Sequence, residues 1–269
     1  MPGDRRGGGV SGLVVGRRAS LEAVRSGRAL EVLVSRSARE TRGLREVLEA
    51  AWSAGVAVRR VGREELDRLA PDHHGVVARV ARAEEPGERE LARWPFGPED
   101  VVVVLDGVVD PQNLGAAART AEAAGAAMLV SRRRRAAPVT AAAIRASAGA
   151  LLHLPHARVA NLPRALRRLQ DAGFTVAGLD HRAARTIYEE PCPAGRLVLV
   201  VGGEGAGISR LVREVCDLLV ALPMRGRVGS LNASAALGAA LYGWVLPSRS
   251  GARLGPQAGV AQPGSASDL

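Results

Sequence analysis

Three short segments of the chain concentrate the residues best suited to chemistry. In the first, Asn113-Leu114-Gly115-Ala116-Ala117-Ala118-Arg119-Thr120, an amide and a guanidinium stand six positions apart on a segment with helical composition. Read alone, it offers an Asn that caps a helix and an Arg on its surface. The second, Gly202-Gly203-Glu204-Gly205-Ala206-Gly207, is a glycine-rich loop in which backbone can approach a ligand closely. Its spacing is not the G-x-G-x-x-G of dinucleotide binding, and no acidic residue ends a following strand to hold a ribose. Glu204 therefore reads either as a structural hydrogen-bond acceptor or as a functional carboxylate. The third, Leu222-Pro223-Met224-Arg225-Gly226-Arg227-Val228-Gly229-Ser230-Leu231-Asn232-Ala233-Ser234, leads into an apolar helix that Ser230 or Asn232 could cap.

The elements that would position these loops alternate between strand and helix. Val101–Leu105 and Leu197–Val201 are β-branched runs of the kind buried on both faces of a parallel sheet. Strands are also expected at 126–131, 174–179 and 218–222, and helices at 116–124, 141–148, 162–172, 209–215 and 233–246. Upstream, 30–35, 56–61 and 75–80 read as strands, and 20–25, 41–54 and 64–70 as helices, which makes a smaller α/β unit. The expected organisation is a disordered tail over 1–9, an N-terminal domain over 10–82, and a Pro/Gly/Glu-rich linker over 83–98. A second α/β domain with a parallel sheet covers 99–248, and a disordered tail 249–269.

Composition narrows the partners. The chain has 269 residues, a formal charge of +10 and no lysine, so all 37 basic residues are arginine. That charge favours a phosphate-bearing partner, nucleic acid first, although abundant Ala, Gly and Arg also follow from a GC-rich coding sequence. The missing lysine rules out a Walker A loop and a lysine Schiff base. No apolar run is long enough for a membrane helix, and the Arg/Gly-rich opening without an apolar stretch is not expected to act as a signal peptide. Cys192 and Cys216 stand apart from each other and from any Cys/His cluster. Neither a disulfide framework nor a metal site is expected, and a cytoplasmic setting follows. Aromatic residues make up only 3% of the chain, so base stacking has few platforms.

Taken in this order, the three segments strongly resemble the signature motifs of the SpoU/TrmH family of RNA 2'-O-ribose methyltransferases, N-x-G-x-x-x-R-T, G-x-E-G-x-G and I-P-M-x-G-x-x-x-S-L-N-x-S. The resemblance covers about 99–247. Gly16, Glu22-Ala23-Val24 and His74-Gly75-Val76-Val77-Ala78 are similar to the opening and close of the family's RNA-binding domain. Gly203 stands where Ala is commoner, Leu222 replaces Ile, Ala233 replaces Val, and Gly229 precedes the Ser.

The resemblance implies an α/β fold whose C-terminal domain carries a trefoil knot, and a homodimer. It implies S-adenosyl-L-methionine as cofactor, held by backbone at Gly202, Leu222 and Leu231. The polar pocket would comprise Asn113, Arg119, Glu204, Ser230 and Asn232, with Arg119 as the base for the 2'-hydroxyl or as the holder of a phosphate that relays the proton. The substrate implied is RNA, with a guanosine of 23S ribosomal RNA as the target. Transfer RNA and resistance-conferring ribosomal targets stay open, as does a silent RNA-binding protein on the same scaffold. Arg225 and Arg227 are expected to contact RNA. Arg132–Arg135 reads equally as a phosphate grip and as a solvated loop. His153, His156 and His181 are expected to be structural, and His73 and His74 to serve either a turn or RNA stacking.

Overall fold

Period-two burial sorts the apolar residues of the larger sheet onto two faces. Val102, Val104, Val198 and Val200 meet one layer of helices, while Val103, Leu105, Leu197 and Leu199 meet the other. The computed structural model describes residues 10–70, 73–81, 86–203, 207–227 and 229–249.

The first sheet is built from β1 (Val10–Val15), β2 (Ala29–Ser35), β3 (Ala57–Val61) and β4 (Val76–Ala81) in the order β1-β4-β2-β3. Strands β1 and β2 run antiparallel to β4, and β3 runs parallel to β2. Helices α1 (Arg17–Arg25), α2 (Arg42–Ser53) and α3 (Arg63–Leu69) connect them. Thr41 starts α2 by accepting the Leu44 N–H, and the helix buries Leu44, Val47 and Ala51.

The segment read as a linker is described from residue 86. It forms α4 (Glu88–Leu91) and lies on the larger sheet, where Leu91 and Phe96 are buried and Phe96 meets Phe174 edge to face at 4.9 Å. Its apolar residues, sparse among Pro and Gly, give it this anchorage.

The second sheet follows with β5 (Val101–Asp106), α5 (Pro111–Ala123), β6 (Met128–Arg132), α6 (Ala141–Ala146), β7 (His156–Val159), α7 (Leu162–Asp171) and β8 (Thr175–Leu179). It continues with β9 (Leu197–Gly202), α8 (Arg210–Arg213), β10 (Leu218–Val220), α9 (Ala233–Ala240) and α10 (Leu246–Arg249), the last two joined by a π-helical turn at Leu241–Val245. The order is β10-β8-β9-β5-β6-β7, and every pairing is parallel. Strand β7 is absent from the sequence reading because His-Ala-Arg-Val has no apolar run and alternates over only four residues, the lower limit of a strand signal.

Helix α5 starts at Asp110, whose side chain accepts the Gln112 N–H, with Pro111 at the first helical position. Its inner face is small, and a Cβ at Gly115 would fall 2.5 Å from the Ala143 carbonyl oxygen, so glycine lets α6 approach. Arg249, assigned to the tail by the sequence reading, closes α10, and its guanidinium donates to the carbonyls of Glu99 and Gly195. The segment after β8 lies over the C-terminal helices, where the Trp244 indole N–H donates to the Glu190 carbonyl at 2.7 Å and Ile187 is buried.

The two sheets meet through α1 and the segment after α6. Arg28 donates to the Leu152 carbonyl at 2.7 Å, and His153 Nε2 lies 3.4 Å from a Glu22 carboxylate oxygen. Gly149, at φ +95°, sits where a Cβ would strike Glu22. The tails expected over 1–9 and from 250 onward lie outside the described residues.

Candidate active site

Ligand sites of open parallel sheets form beyond the carboxyl ends of the strands. Here the ends of β8 and β9 and the segment leading into α9 enclose a cavity of about 310 Å³. Gly202, Leu222 and Leu231, the three residues expected at a cofactor, all line it, as do Ser230, Asp180 and His181.

Backbone geometry explains the glycines. A Cβ on Gly202 would fall 2.0 Å from the Gly207 carbonyl carbon, and one on Gly203 would fall 2.3 Å from the Gly107 oxygen. The loop closes on itself as Gly207 N donates to the Gly203 carbonyl at 3.1 Å, and Gly203 N donates to the Asp106 carbonyl at 2.7 Å. Asp106 is buried. Its carboxylate accepts the Ser209 N–H at 2.8 Å and faces Arg132 Nη2 at 2.8 Å, so one side chain ties the ends of β5 and β6 to the start of α8.

Asn232 links the third segment to the first. Its Oδ1 caps α9 by accepting the Ser234 N–H at 2.9 Å and the Ser234 hydroxyl at 2.8 Å. Its Nδ2 donates to Asn113 Oδ1 at 2.9 Å. Of the two capping candidates, Asn232 takes the role, while Asp110 rather than Asn113 caps α5.

Arg119 lies elsewhere. At ~100° per residue, six positions carry it ~120° around α5 from Asn113. It is exposed and lines a different cavity, of about 390 Å³, with Glu22, Glu122, Ser147 and His153. Within one chain the structure therefore gathers Asn113, Ser230, Asn232, Gly202, Leu222 and Leu231 and leaves Arg119 apart. Glu204 lies outside the described residues.

The sequence reading missed Asp180. It is 4% exposed, takes the Arg182 N–H at 2.9 Å, and meets Arg213 Nε at 2.6 Å. Burial alone would raise its pKa, but the Arg182 N–H and the charges of Arg213 and Arg182 outweigh burial and hold it below the usual value. A carboxylate directly after a buried strand was the available signal. His181, expected to be structural, lines the cavity.

Of the other histidines, His153 is exposed beside Glu22, while His73, His74 and His156 divide between turn and core. His73 Nε2 is 2.9 Å from Asp67 and its Nδ1 accepts the Gly75 N–H, a turn role, while His74 adopts φ +46°. His156 is buried against Ser131 Oγ at 2.8 Å, and burial, aided by Arg158, lowers its pKa to about 4. Among the described residues no group of three or more His, Cys, Asp or Glu side chains could hold a metal ion. No helix there is long and apolar enough to cross a membrane.

Residues 100–242 match the family described as SpoU rRNA methylase, and residues 13–86 match the one described as RNA 2'-O ribose methyltransferase substrate binding. The chain belongs to the SpoU rRNA methylase family. It is 42% identical over 219 residues to the 23S rRNA (guanosine-2'-O-)-methyltransferase RlmB of Haemophilus influenzae, covering 80% of this chain and 88% of that protein. It is 39% identical to the TrmH family tRNA/rRNA methyltransferase YacO of Bacillus subtilis, described there as putative, over 85% of this chain and 93% of that one. Among solved structures, the SpoU methyltransferase AviRb of Streptomyces viridochromogenes in complex with AdoMet superposes with a TM-score of 0.73 at 29% identity, over 88% of this chain and 90% of that chain. This member of the family thus carries both the catalytic-type domain and the substrate-binding type domain.

Proposed function

We propose that the chain transfers the methyl group of S-adenosyl-L-methionine to the 2'-hydroxyl of a ribose in RNA, and that the target is a guanosine of 23S ribosomal RNA. The observation that carries this reading is the Asn232–Asn113 hydrogen bond beside a glycine-walled cavity, which joins the first and third segments at the end of the sheet.

The cavity suits the cofactor. Its volume of about 310 Å³ falls within the ~300–1,000 Å³ of small-molecule sites. Leu179, Leu222 and Leu231 offer apolar walls for a purine, and a Cβ on Gly207 or Gly229 would meet nothing within 4 Å, so backbone is presented bare. The Asp180 carboxylate offers a counter-charge or a ribose acceptor. When bound, the cofactor supplies the activated methyl group, so the protein has to orient the ribose and accept its proton. Asn113, Ser230 and Asn232 orient the nucleotide, with Glu204 completing the polar set. Arg119 takes the proton, as a neutral base or through a substrate phosphate.

The position of Arg119 gives the homodimer its purpose. Exposed apolar side chains border the cavity and α9, with Met224 at 38%, Leu231 at 43% and Tyr242 at 52% exposure. A second copy seated there covers them and brings its own Arg119 to this chain's cavity. The threading of the C-terminal helices beneath 180–196, supported by the Trp244–Glu190 bond, is read as the trefoil knot. The functional division is 10–82 for RNA binding, 83–98 as a connection and 99–248 for methyl transfer. Arg225 and Arg227, both exposed on the segment before Ser230, contact the RNA. The setting is the cytoplasm.

Mapping ribose methylation in total RNA from a strain lacking the gene, with labelled methyl transfer by the purified protein, tests the assignment. Loss of one 2'-O-methylguanosine in 23S ribosomal RNA is expected. A lost mark in transfer RNA instead would overturn the choice of substrate.

A further inference from the structure

The loop after β6 holds four consecutive arginines, and the structure divides them. Arg132 is spent internally: it meets Asp106 at 2.8 Å and donates to the Ser209 hydroxyl at 3.1 Å. Arg133, Arg134 and Arg135 are exposed, and none of their guanidinium groups has a hydrogen-bonding or ionic partner among the described residues.

This turn is fixed at both ends. Arg133 N donates to the Val159 carbonyl at 2.7 Å, the Arg133 carbonyl accepts from Arg158 Nη2 at 2.9 Å, and Ala137 N donates to the Val108 carbonyl at 2.9 Å. Between these anchors Arg135 adopts φ +56°, a left-handed conformation that side chains other than Asn, Asp and Gly rarely take. Arg135 also lines a cavity of about 220 Å³ with Asp106, Gly203 and Gly207, so the turn abuts the glycine-rich loop of the candidate active site.

We propose that Arg133–Arg135 form a grip for the phosphodiester backbone of the RNA substrate, placed to hold the strand beside the target nucleotide. The inference rests on the RNA-methyltransferase reading and adds a surface that the motifs do not name. Three neighbouring cations without carboxylate partners leave an uncompensated positive field. A merely solvated charge run has no need of a turn pinned at both ends and strained at one residue. Such pre-organisation instead lowers the cost of ordering arginines around an anion. The cofactor carries a single carboxylate and no phosphate, whereas RNA presents one phosphate per nucleotide, the pattern that three adjacent guanidinium groups suit.

The experiment compares the wild type with Arg133→Ser/Arg134→Ser/Arg135→Asn, in which Asn tolerates the left-handed backbone. A charge-matched control, Arg89→Ser/Arg93→Ser/Arg167→Ser, removes three exposed arginines from the α4 and α7 side. Filter binding of a transcript of large-subunit ribosomal RNA is measured across a salt series, and S-adenosyl-L-methionine binding by calorimetry. At ~0.7–0.9 per phosphate contact, the slope of log K against log salt becomes shallower by about 2 to 3 in the triple variant and by less than about 1 in the control. Cofactor affinity is expected to stay at the wild-type level while KM for RNA rises more than kcat falls. A second variant, Arg134→Glu, keeps the turn's backbone and weakens RNA binding at low salt.

A slope equal to the control's would overturn the grip. So would loss confined to cofactor affinity, which would place the arginines on the cofactor's carboxylate. Wild-type protein that binds the transcript but transfers no methyl group defeats the methyltransferase reading, and the slope comparison still decides the grip.

Discussion

Replacing Asn232 separates the two tasks that its side chain performs. Its oxygen caps α9 and its amide nitrogen holds Asn113. Asn232→Ala removes both. Loss of the cap costs about 1 kcal/mol. Loss of the inter-loop hydrogen bond costs about 1 kcal/mol more, since Asn232 is exposed and Asn113 can be rehydrated. A total of about 2 kcal/mol lowers Tm by roughly 4–8 °C in a chain of this size. Asn232→Asp keeps the capping oxygen and adds a negative charge at the positive end of the helix, which returns about 0.5 kcal/mol. Its Tm is therefore expected to fall by less than half as much. Both variants lose the donor to Asn113, and both are expected to lose methyl transfer on the order of 10²-fold through misplacement of the reacting nucleotide. Scanning calorimetry and labelled methyl transfer measure the two effects. Equal Tm losses, or wild-type turnover in Asn232→Asp, would refute the division of labour.

Three further outcomes follow from the same geometry. His156 holds a pKa of about 4 against 6.5 when unfolded, so the unfolded chain binds the proton first, and stability falls as pH drops from about 6.5 towards 4. By pH 5 the loss reaches about 2 kcal/mol, which urea titrations should show for the wild type and not for His156→Gln, whereas Glu88 and Asp180 act only at more acid pH. Burial first, and then Asp217, push the Cys216 thiol up to about 12, and burial also raises Cys192, so alkylation at pH 8 should be slow until urea is added. If Arg119 acts across a dimer, co-expressing Arg119→Ala with Asn232→Asp chains restores activity that neither variant shows alone; no restoration would place Arg119 at its own chain's site.

The parts of this molecule legible in its sequence are those that local chemistry determines. Val101–Asp106 and Leu197–Gly202 are buried on both faces, and an unbroken apolar run announces that burial. Order in the sheet is different, because β9 lies between β5 and β8 through contacts that no local pattern encodes. Strand β7 gives a weak signal because it is only four residues long and lies at the sheet edge, where it pairs with β6 alone. The start of α5 carries no apolar periodicity, because Pro and Gln open it, although Asp110 and Pro111 are a cap and a first-turn residue. At the candidate site the glycines, Ser230 and Asn232 were legible as types at fixed spacing. That Arg119 turns away from Asn113 follows from helix geometry once α5 is known to run unbroken through both. Asp180 carried too little context, since its meaning depends on Arg213 and on the strand end beside it. Arg132 could not be told from its three neighbours without Asp106.

The most direct measurement is single-turnover methyl transfer by Arg119→Ala, paired with calorimetric binding of S-adenosyl-L-methionine to the same variant. Cofactor affinity should match the wild type while the rate falls by about 10²–10⁴-fold, the range that a proton-accepting group supplies. Transfer at the wild-type rate would contradict the role given to Arg119.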